Sequence, residues 1–384
     1  MYSDGASPGF QNLCYLASAP VPSAAANAVH VAHMCEALSD LGFCVTLLSP
    51  CSHPWKKDLA SELRAYFGIK ANFDVVGIWQ SKIRWPYLQL LGRYLSRANP
   101  NWVYGRKLSG CGMAAKKGFP TIFEAHLPAW TRGWRVRREF EFLIKQPAFA
   151  GLVVISRSLR DAFLEKYPNL QEKIVIAPDG APDWVSPEPN LLTPNGELHV
   201  GYVGGLYPGK GIELIVKLAP TCPWARFVVV GGTEREISNW RSILPRGSDN
   251  VEFVGWRPHA EVREYLSRAN VLIAPYQPSV EAHGGGGELA PWMSPLKVFE
   301  YMAAGRPIIA SDLPVLREVL NNEVNALMVV PDDIVAWRTA LDRLRTSPEV
   351  AQRLARNARR EFEEKYTWNA RARRIVRAFD GHLK

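Results

Sequence analysis

The sequence predicts an α/β protein made of two doubly wound parallel-sheet domains. Three observations lead to that class. The chain has 384 residues, more than one hydrophobic core usually organises, so two domains are expected. Short apolar runs ended by polar residues alternate with stretches of helical period, the pattern of βαβ units. Finally, the run DGAPDWVSPEPNLLTPNGE (179–197) is rich in Pro, Gly and Asn and lacks periodicity, as an interdomain linker would. The boundary is accordingly placed between residues 185 and 186.

The elements follow in order. NLCYLAS (12–18) reads as a buried strand, followed by a loop. Val29 to Leu41 carries helical spacing (Val31, Met34, Cys35, Leu38, Leu41) and stops at Gly42, a natural C′ residue. CVTLLSP, NWVYGR, PTIFEAH and GLVVIS are further strands of the first half. In the second half, LHVGYVGG, RFVVVGG, VEFVG, NVLIAPY and RPIIAS read as strands. They alternate with helices over GIELIVKLA, HAEVREYLSRA, SPLKVFEYMAA and LPVLREVL, and two long helices follow. Ligands of such sheets sit at the carboxyl ends of the strands.

Composition limits the function classes. With 47% hydrophobic residues there is enough apolar material for two cores, which argues against long disorder. The net charge is +9, unevenly spread: residues 1–185 hold 21 basic and 14 acidic residues (+7), residues 186–384 hold 25 and 23 (+2). A basic first half suits an anionic partner there, or simply a solvated face. Six cysteines lie far apart without a C-x-x-C pair, so reduced thiols are expected rather than a disulfide or metal framework. No apolar run approaches the ~18 residues of a spanning helix, and the first residues lack a secretion signal. A cytoplasmic protein is expected, with peripheral contact at the inner face of the membrane as an option.

Two segments carry the chemistry. In SPLKVFEYMAAGRPIIASD (294–312), Ser294 suits an N-cap, Pro295 the first helical position and Gly305 the C′ position. The helix N-terminus offers free amides and the positive dipole end to a diphosphate. Lys297 places a cation in that first turn, where it is unfavourable without an anion nearby. Glu300 is suited to accept hydrogen bonds from a ribose. In LHVGYVGGLYPGKGIELI (198–215) a strand enters a glycine-rich turn carrying Lys210, which permits close approach to phosphates. Gly204 to Lys210 also imitates the start of a Walker A loop. Gly211 stands where Ser or Thr would hold Mg²⁺, and RFVVVGG lacks the acidic residue of a Walker B strand, so the nucleotide-hydrolase reading fails.

Together these segments resemble the retaining glycosyltransferases of family 4, the glycosyl transferases group 1. The GxxxxxKG turn of that family is similar to Gly204–Gly211 and its K-x-F-E-Y-M-A-A-G-x-P-I block to Lys297–Ile308. PTIFEAH (120–126) resembles the family's acidic–His loop. VVISRSLRDAF (153–163), IAPDGAPD (176–183) and residues 27–49 resemble further segments, so the likeness spans nearly the whole chain. It implies the GT-B architecture: two Rossmann-like domains facing a central cleft. Residues 1–185 would bind the acceptor, with a C-terminal helix (366–384) returning to them, and residues 186–365 would bind the donor.

The same resemblance implies roles. Lys210 would hold the donor phosphates, with Gly204 and Gly205 in the turn, and Glu300 the ribose. Ser294, Pro295, Leu296 and Lys297 would contact the diphosphate, and Trp256 and Arg257 would border the base. His126, with Glu124 two residues before it, would be the catalytic pair facing the transferred sugar. Asn27 and Arg106 are acceptor-side candidates. No metal and no cofactor beyond a UDP- or GDP-linked sugar are implied. Transfer would proceed at the front face with retention, the departing phosphate helping to deprotonate the acceptor.

This chain departs from the family pattern at three places. Gly205 stands where Arg is frequent, Trp292 where the first Glu of a Glu-x7-Glu pair is usual, and PSAAAN (22–27) where two glycines are usual. Lys297 or Arg106 are candidates to replace the Arg, and Glu288 the Glu. His30, His33 and Glu36 share a helical face, which reads as partly exposed residues more than as a metal site. His283 and Gly284–Gly287 form a glycine-rich loop. Trp79 to Arg97 and WTRGWRVRR (130–138) are aromatic–basic stretches that suit either an anionic membrane surface or the acceptor cleft. A nucleic-acid partner is not expected, because no recognised module accompanies the charge.

The leading expectation is a glycosyltransferase acting on a glycan, a lipid-linked acceptor or a small molecule, in cell-surface polysaccharide, glycolipid or glycoside assembly. The alternatives are a nucleotide-sugar epimerase of similar fold and a degenerate nucleotide-sugar-binding subunit.

Overall fold

The computed structural model describes residues 11–23, 26–52, 59–70, 72–80, 84–184, 196–245, 247–280 and 288–380. The chain forms two compact units, Met1–Pro178 with Trp368–Lys384, and Asp179–Thr367. The first unit thus ends at Pro178, just before the run read as the linker and seven residues ahead of the expected boundary.

In the first unit the elements run β1 (Asn12–Leu16), α1 (Ala26–Asp40), β2 (Cys44–Cys51), α2 (Leu59–Phe67), β3 (Asp74–Trp79), α3 (Arg84–Ala98) and β4 (Trp102–Gly105). They continue through α4 (Leu108–Lys116), β5 (Thr121–Ala125), α5 (Trp134–Ile144), β6 (Phe149–Val154), α6 (Arg157–Lys166) and β7 (Ile174–Ile176). The strands pair in the order β3-β2-β1-β4-β5-β6-β7, all parallel.

The second unit runs β8 (Leu198–Val203), α7 (Ile212–Leu218), β9 (Ala225–Val230), α8 (Glu234–Ile243), β10 (Val251–Gly255), α9 (His259–Arg268) and β11 (Val271–Ala274). Then come α10 (Leu296–Ala303), β12 (Ile308–Ser311), β13 (Leu327–Val329), α11 (Ile334–Thr346) and α12 (Pro348–Lys365). Its six strands lie in the order β10-β9-β8-β11-β12-β13, again all parallel. The final helix, α13 (Trp368–Phe379), belongs to the first unit.

Both sheets share one winding. Each starts in the middle, grows two strands to one side, then reverses. The reversal falls between β1 and β4 in one sheet and between β8 and β11 in the other, and at such switch points the strand ends open a crevice for ligand. Strands buried on both faces need continuous apolar runs, and VLIA (271–274) and IIAS (308–311) are wholly buried.

One expected helix does not form. LPVLREVL (313–320) holds only a single 3₁₀ turn, Leu316–Glu318. Pro314 lacks an amide donor, and Leu313, Val315, Leu316, Val319 and Leu320 are all buried in the core of the second unit. The strands β3, β7 and β13 were not anticipated; β7 and β13 have three residues each, too few to show a period.

Candidate functional site

At the switch point of the second sheet, the turn after β8 and the loop after β11 lie beside the start of α10. The turn is tied down by two phenols. Tyr202 Oη donates to the Gly205 carbonyl at 2.8 Å and to the Lys210 carbonyl at 3.2 Å, and the Val203 amide donates to Tyr301 Oη at 2.9 Å. Gly204 has φ +151°, and a Cβ there would lie 2.9 Å from Lys297 Nζ. The glycine therefore leaves the space that the lysine end occupies.

Lys297 is only 7% exposed. Its ammonium lies 3.9 Å from the ring centre of Tyr202 and 4.7 Å from that of Tyr276, and has no hydrogen-bond partner among the described residues. Burial, and then the neighbouring Lys210 charge, hold its pKa well below 10.5 against the opposing pull of Glu300. Lys210 sits 5.1 Å from the Tyr276 ring and 5.3 Å from Tyr207, and burial lowers its pKa to about 8. Two lysines thus share a tyrosine-lined corner in which the pull of Glu300 does not offset the burial of Lys297 and the neighbouring charge. Such an arrangement is costly unless an anion arrives.

The helix start needs a correction. The N-cap of α10 is Pro295, not Ser294, and Leu296 is the first helical residue. Ser294 is buried, and its hydroxyl accepts the Asp179 amide at 2.8 Å. Pro295 has no amide of its own, so the open amides at this end are those of Leu296 and Lys297. Gly305 takes the C′ position with φ +61°, as expected.

Glu300 Oε1 is 2.6 Å from His259 Nε2, at the start of α9. His259 was not singled out in the sequence; no local pattern links it to a glutamate 41 residues away. Trp256 and Arg257 follow β10 at the sheet edge. Trp256 is exposed, and Arg257 donates to the Trp256 carbonyl at 3.0 Å and to Tyr265 Oη at 3.4 Å.

The departures have structural counterparts. A Cβ at Gly205 would lie 2.5 Å from the Tyr207 ring, so Tyr207 fills the place beside that backbone. Lys297, not a residue of the turn, supplies the second cation. Glu288 is occupied locally, accepting from Ser279 Oγ at 2.6 Å, Val280 N at 2.8 Å and Ala290 N at 2.9 Å. Trp292 is half-buried. His283 and Gly284–Gly287 lie outside the described residues, as do residues 24–25 of the PSAAAN run.

In the first unit, β5 delivers Glu124 to the centre of a polar cluster. Its carboxylate is buried, 1% exposed. Oε1 lies 2.5 Å from His126 Nε2 and 2.8 Å from His30 Nε2; Oε2 accepts from Tyr104 Oη and lies 3.2 Å from Arg371 Nη2 of α13. Burial alone would raise the Glu124 pKa, but the charge of Arg371, the charge of His30 and hydrogen bonds from both imidazoles carry it well below 4.5. Glu124 is therefore an ionised carboxylate enclosed by protein, and its place is behind His126. His126, with its side chain 22% exposed, is the outward member of the pair.

His30 and His33 are buried, contrary to the expectation of partial exposure. Their rings flank Trp368 of α13, His30 edge-on at 5.0 Å and His33 stacked at 6.0 Å. His33 Nδ1 is 3.5 Å from Glu36, whereas His30 turns to Glu124, so the three do not converge on one point. His30, Glu124 and His126 are of metal-ligand type, but both imidazoles address one carboxylate oxygen and Arg371 already supplies positive charge. Asn27 Nδ2 donates to Ser18 Oγ at 2.8 Å beyond β1. Arg106 follows β4, with its amide on the Leu16 carbonyl at 3.0 Å and a buried Nη1 that lacks a partner among the described residues.

The family described as Glycosyl transferases group 1 matches residues 197–347, and that described as Glycosyltransferase Family 4 matches residues 28–183. The chain belongs to the group 1, family 4 glycosyltransferases. Among curated relatives, an uncharacterised glycosyltransferase of Methanocaldococcus jannaschii is 23% identical over 247 residues, 59% of each chain. An O-antigen chain mannosyltransferase of Salmonella typhimurium is 25% identical over 221 residues, 56% of this chain and 57% of that one. The matched part thus spans little more than half the length of these relatives.

Among solved structures, the sucrose-phosphate synthase of Thermosynechococcus elongatus superposes with a TM-score of 0.75 at 18% identity, covering 97% of this chain and 99% of that one. HepE of Anabaena in complex with UDP and glucose gives 0.70 at 14% identity, covering 96% and 99%. These likenesses establish the GT-B fold for this family member. No helix among the described residues is long and apolar enough to cross a membrane.

Proposed function

We propose that the protein transfers a glycosyl group from a uridine- or guanosine-diphosphate sugar to an acceptor hydroxyl, with retention of anomeric configuration and without a metal ion. The observation that carries this reading is the pair Lys210, half-buried, and Lys297, buried and without a hydrogen-bond partner among the described residues, set against tyrosine rings at the switch point of the second sheet. A diphosphate supplies the missing negative charge, and the amides of Leu296 and Lys297 add donors. Glu300, steadied by His259, is placed for the ribose hydroxyls, and Trp256 with Arg257 for the base. HepE, whose structure contains UDP, supports the uridine option.

In the transfer, the bond from the anomeric carbon to the diphosphate oxygen breaks and a bond to the acceptor oxygen forms. The acceptor proton passes to the leaving diphosphate, whose growing charge the two lysines stabilise. They take the role that a divalent ion fills in other phosphate-handling sites. His126 faces the transferred sugar. Asn27 and Arg106, at the first switch point, are placed for a glycan, lipid-linked or small-molecule acceptor. The O-antigen relative supports cell-surface polysaccharide. Work at the cytoplasmic face of the membrane is supported by α5, where Trp134 is 63% exposed with Arg135 and Arg138 over its ring.

The test is turnover with UDP- and GDP-linked hexoses in the presence of chelator and pooled acceptors. The product should form with the donor's anomeric configuration and release nucleoside diphosphate. An inverted product, isomerised donor, or binding without transfer would reject the reading.

A further inference from the structure

We propose that Arg371, on the last helix of the chain, is a positioning residue for His126 and acts through the buried carboxylate of Glu124. The inference rests on the reading that His126 faces the transferred sugar.

The linkage is continuous within the first unit. Arg371 is 1% exposed; its Nε donates to the Pro178 carbonyl at 3.0 Å, and its Nη2 stands 3.2 Å from Glu124 Oε2. The helix that carries it is fixed at both ends. Trp368 lies between His30 and His33, and Phe379 packs on Gly151, where a Cβ would come within 2.1 Å of the ring. Arg371 therefore holds its charge at one place, as a guanidinium does well.

That charge decides the state of the next group. Glu124 is enclosed by Tyr104, His30, His126 and Arg371, of which Arg371 is the permanent cation. With the arginine present Glu124 is a carboxylate, which only accepts hydrogen bonds. Both imidazoles approaching Oε1 must then present Nε2–H. The tautomer of His126 is fixed: Nε2 carries the proton and Nδ1 keeps its lone pair for the sugar side. The carboxylate orients and selects the tautomer without touching substrate, as in the Ser-His-Asp template. Without Arg371, the buried carboxylate loses its main stabilising charge, takes up a proton and becomes a donor. His126 then loses the partner that selects its tautomer.

The experiment compares Arg371→Met, which keeps the volume, with Arg371→Lys, which keeps the charge and covers a failure of the first to fold. Imidazole ¹⁵N shifts of His126 and steady-state kinetics are read on each. In the wild type His126 should show the Nε2–H tautomer near neutral pH. Arg371→Met should mix or reverse the tautomers and lower kcat about tenfold to a hundredfold, the scale of a misplaced catalytic group. KM for the donor should stay within about twofold, because Lys210, Lys297 and Glu300 are untouched. Arg371→Lys should recover part of kcat and the wild-type tautomer. An unchanged His126 spectrum with wild-type kcat in Arg371→Met would overturn the proposal, as would loss of the Nε2–H tautomer in Arg371→Lys if only that variant folds. A shifted tautomer, combined with full turnover in His126→Ala, would support the linkage and remove His126 from the sugar site.

Discussion

The two charged clusters of this molecule are opposites. Around Glu124 one carboxylate is surrounded by four donors and is neutralised within the protein. Around Lys210 and Lys297 two ammonium groups lie against tyrosine rings without a neutralising anion. The first cluster is complete, and its parts hold each other in place. The second has no such closure, and both lysine pKa values are lowered instead. Burial alone thus does not distinguish structure from function; the balance of charge within the buried group does.

If that contrast is right, removing charge from the two clusters has opposite effects on folding. Glu124→Ala should be the larger, costing about 3–5 kcal/mol, because it strands the buried Arg371 guanidinium. Denaturant unfolding measures it; a cost under ~1 kcal/mol would mean that the cluster is not closed. The same group sets an acid limit. The folded Glu124 pKa lies below its ordinary value of 4.5, so its stabilisation is present above that value and is lost as pH falls through the folded pKa.

Lys297→Met should instead leave the fold as stable or more so, since a buried unpaired cation is replaced by an apolar chain of similar length. UDP affinity should fall about thirtyfold to a thousandfold, the range for losing a buried charged contact to a phosphate. Thermal unfolding with and without UDP reads both effects. A destabilised apo protein with normal UDP affinity would make Lys297 structural.

How far the sequence foretold these clusters depended on how local their parts are. The α10 segment was legible because Gly305 and Pro307 punctuate it and Lys297 is out of place in a first turn. The cap was misplaced by one residue because the Ser294 hydroxyl is taken by Asp179, 115 positions away. The tyrosine lining was invisible: Tyr202, Tyr276 and Tyr301 come from a strand, a loop and a helix, and only the switch point brings them together. The C-terminal helix was expected, yet nothing local sets the buried Arg371 apart from the neighbouring Arg373 and Arg374. His30 was read as partly exposed because its true partners, Glu124 and Trp368, are distant in sequence. Glu124 and His126, two residues apart on one strand end, needed no such information.

Proton uptake on UDP binding is the most direct test of the second cluster. Burial pushes the Lys210 pKa down to about 8 and holds that of Lys297 well below its ordinary 10.5, so Lys210 is about half neutral at pH 8. The diphosphate should recharge them, raising their pKa values, and affinity should decline as pH rises above about 8. Calorimetry of UDP binding at pH 8, in buffers of different ionisation enthalpy, should show net proton uptake. Lys297→Met should reduce that uptake. Binding with no net proton exchange in the wild type would contradict the claim that the diphosphate completes this lysine pair.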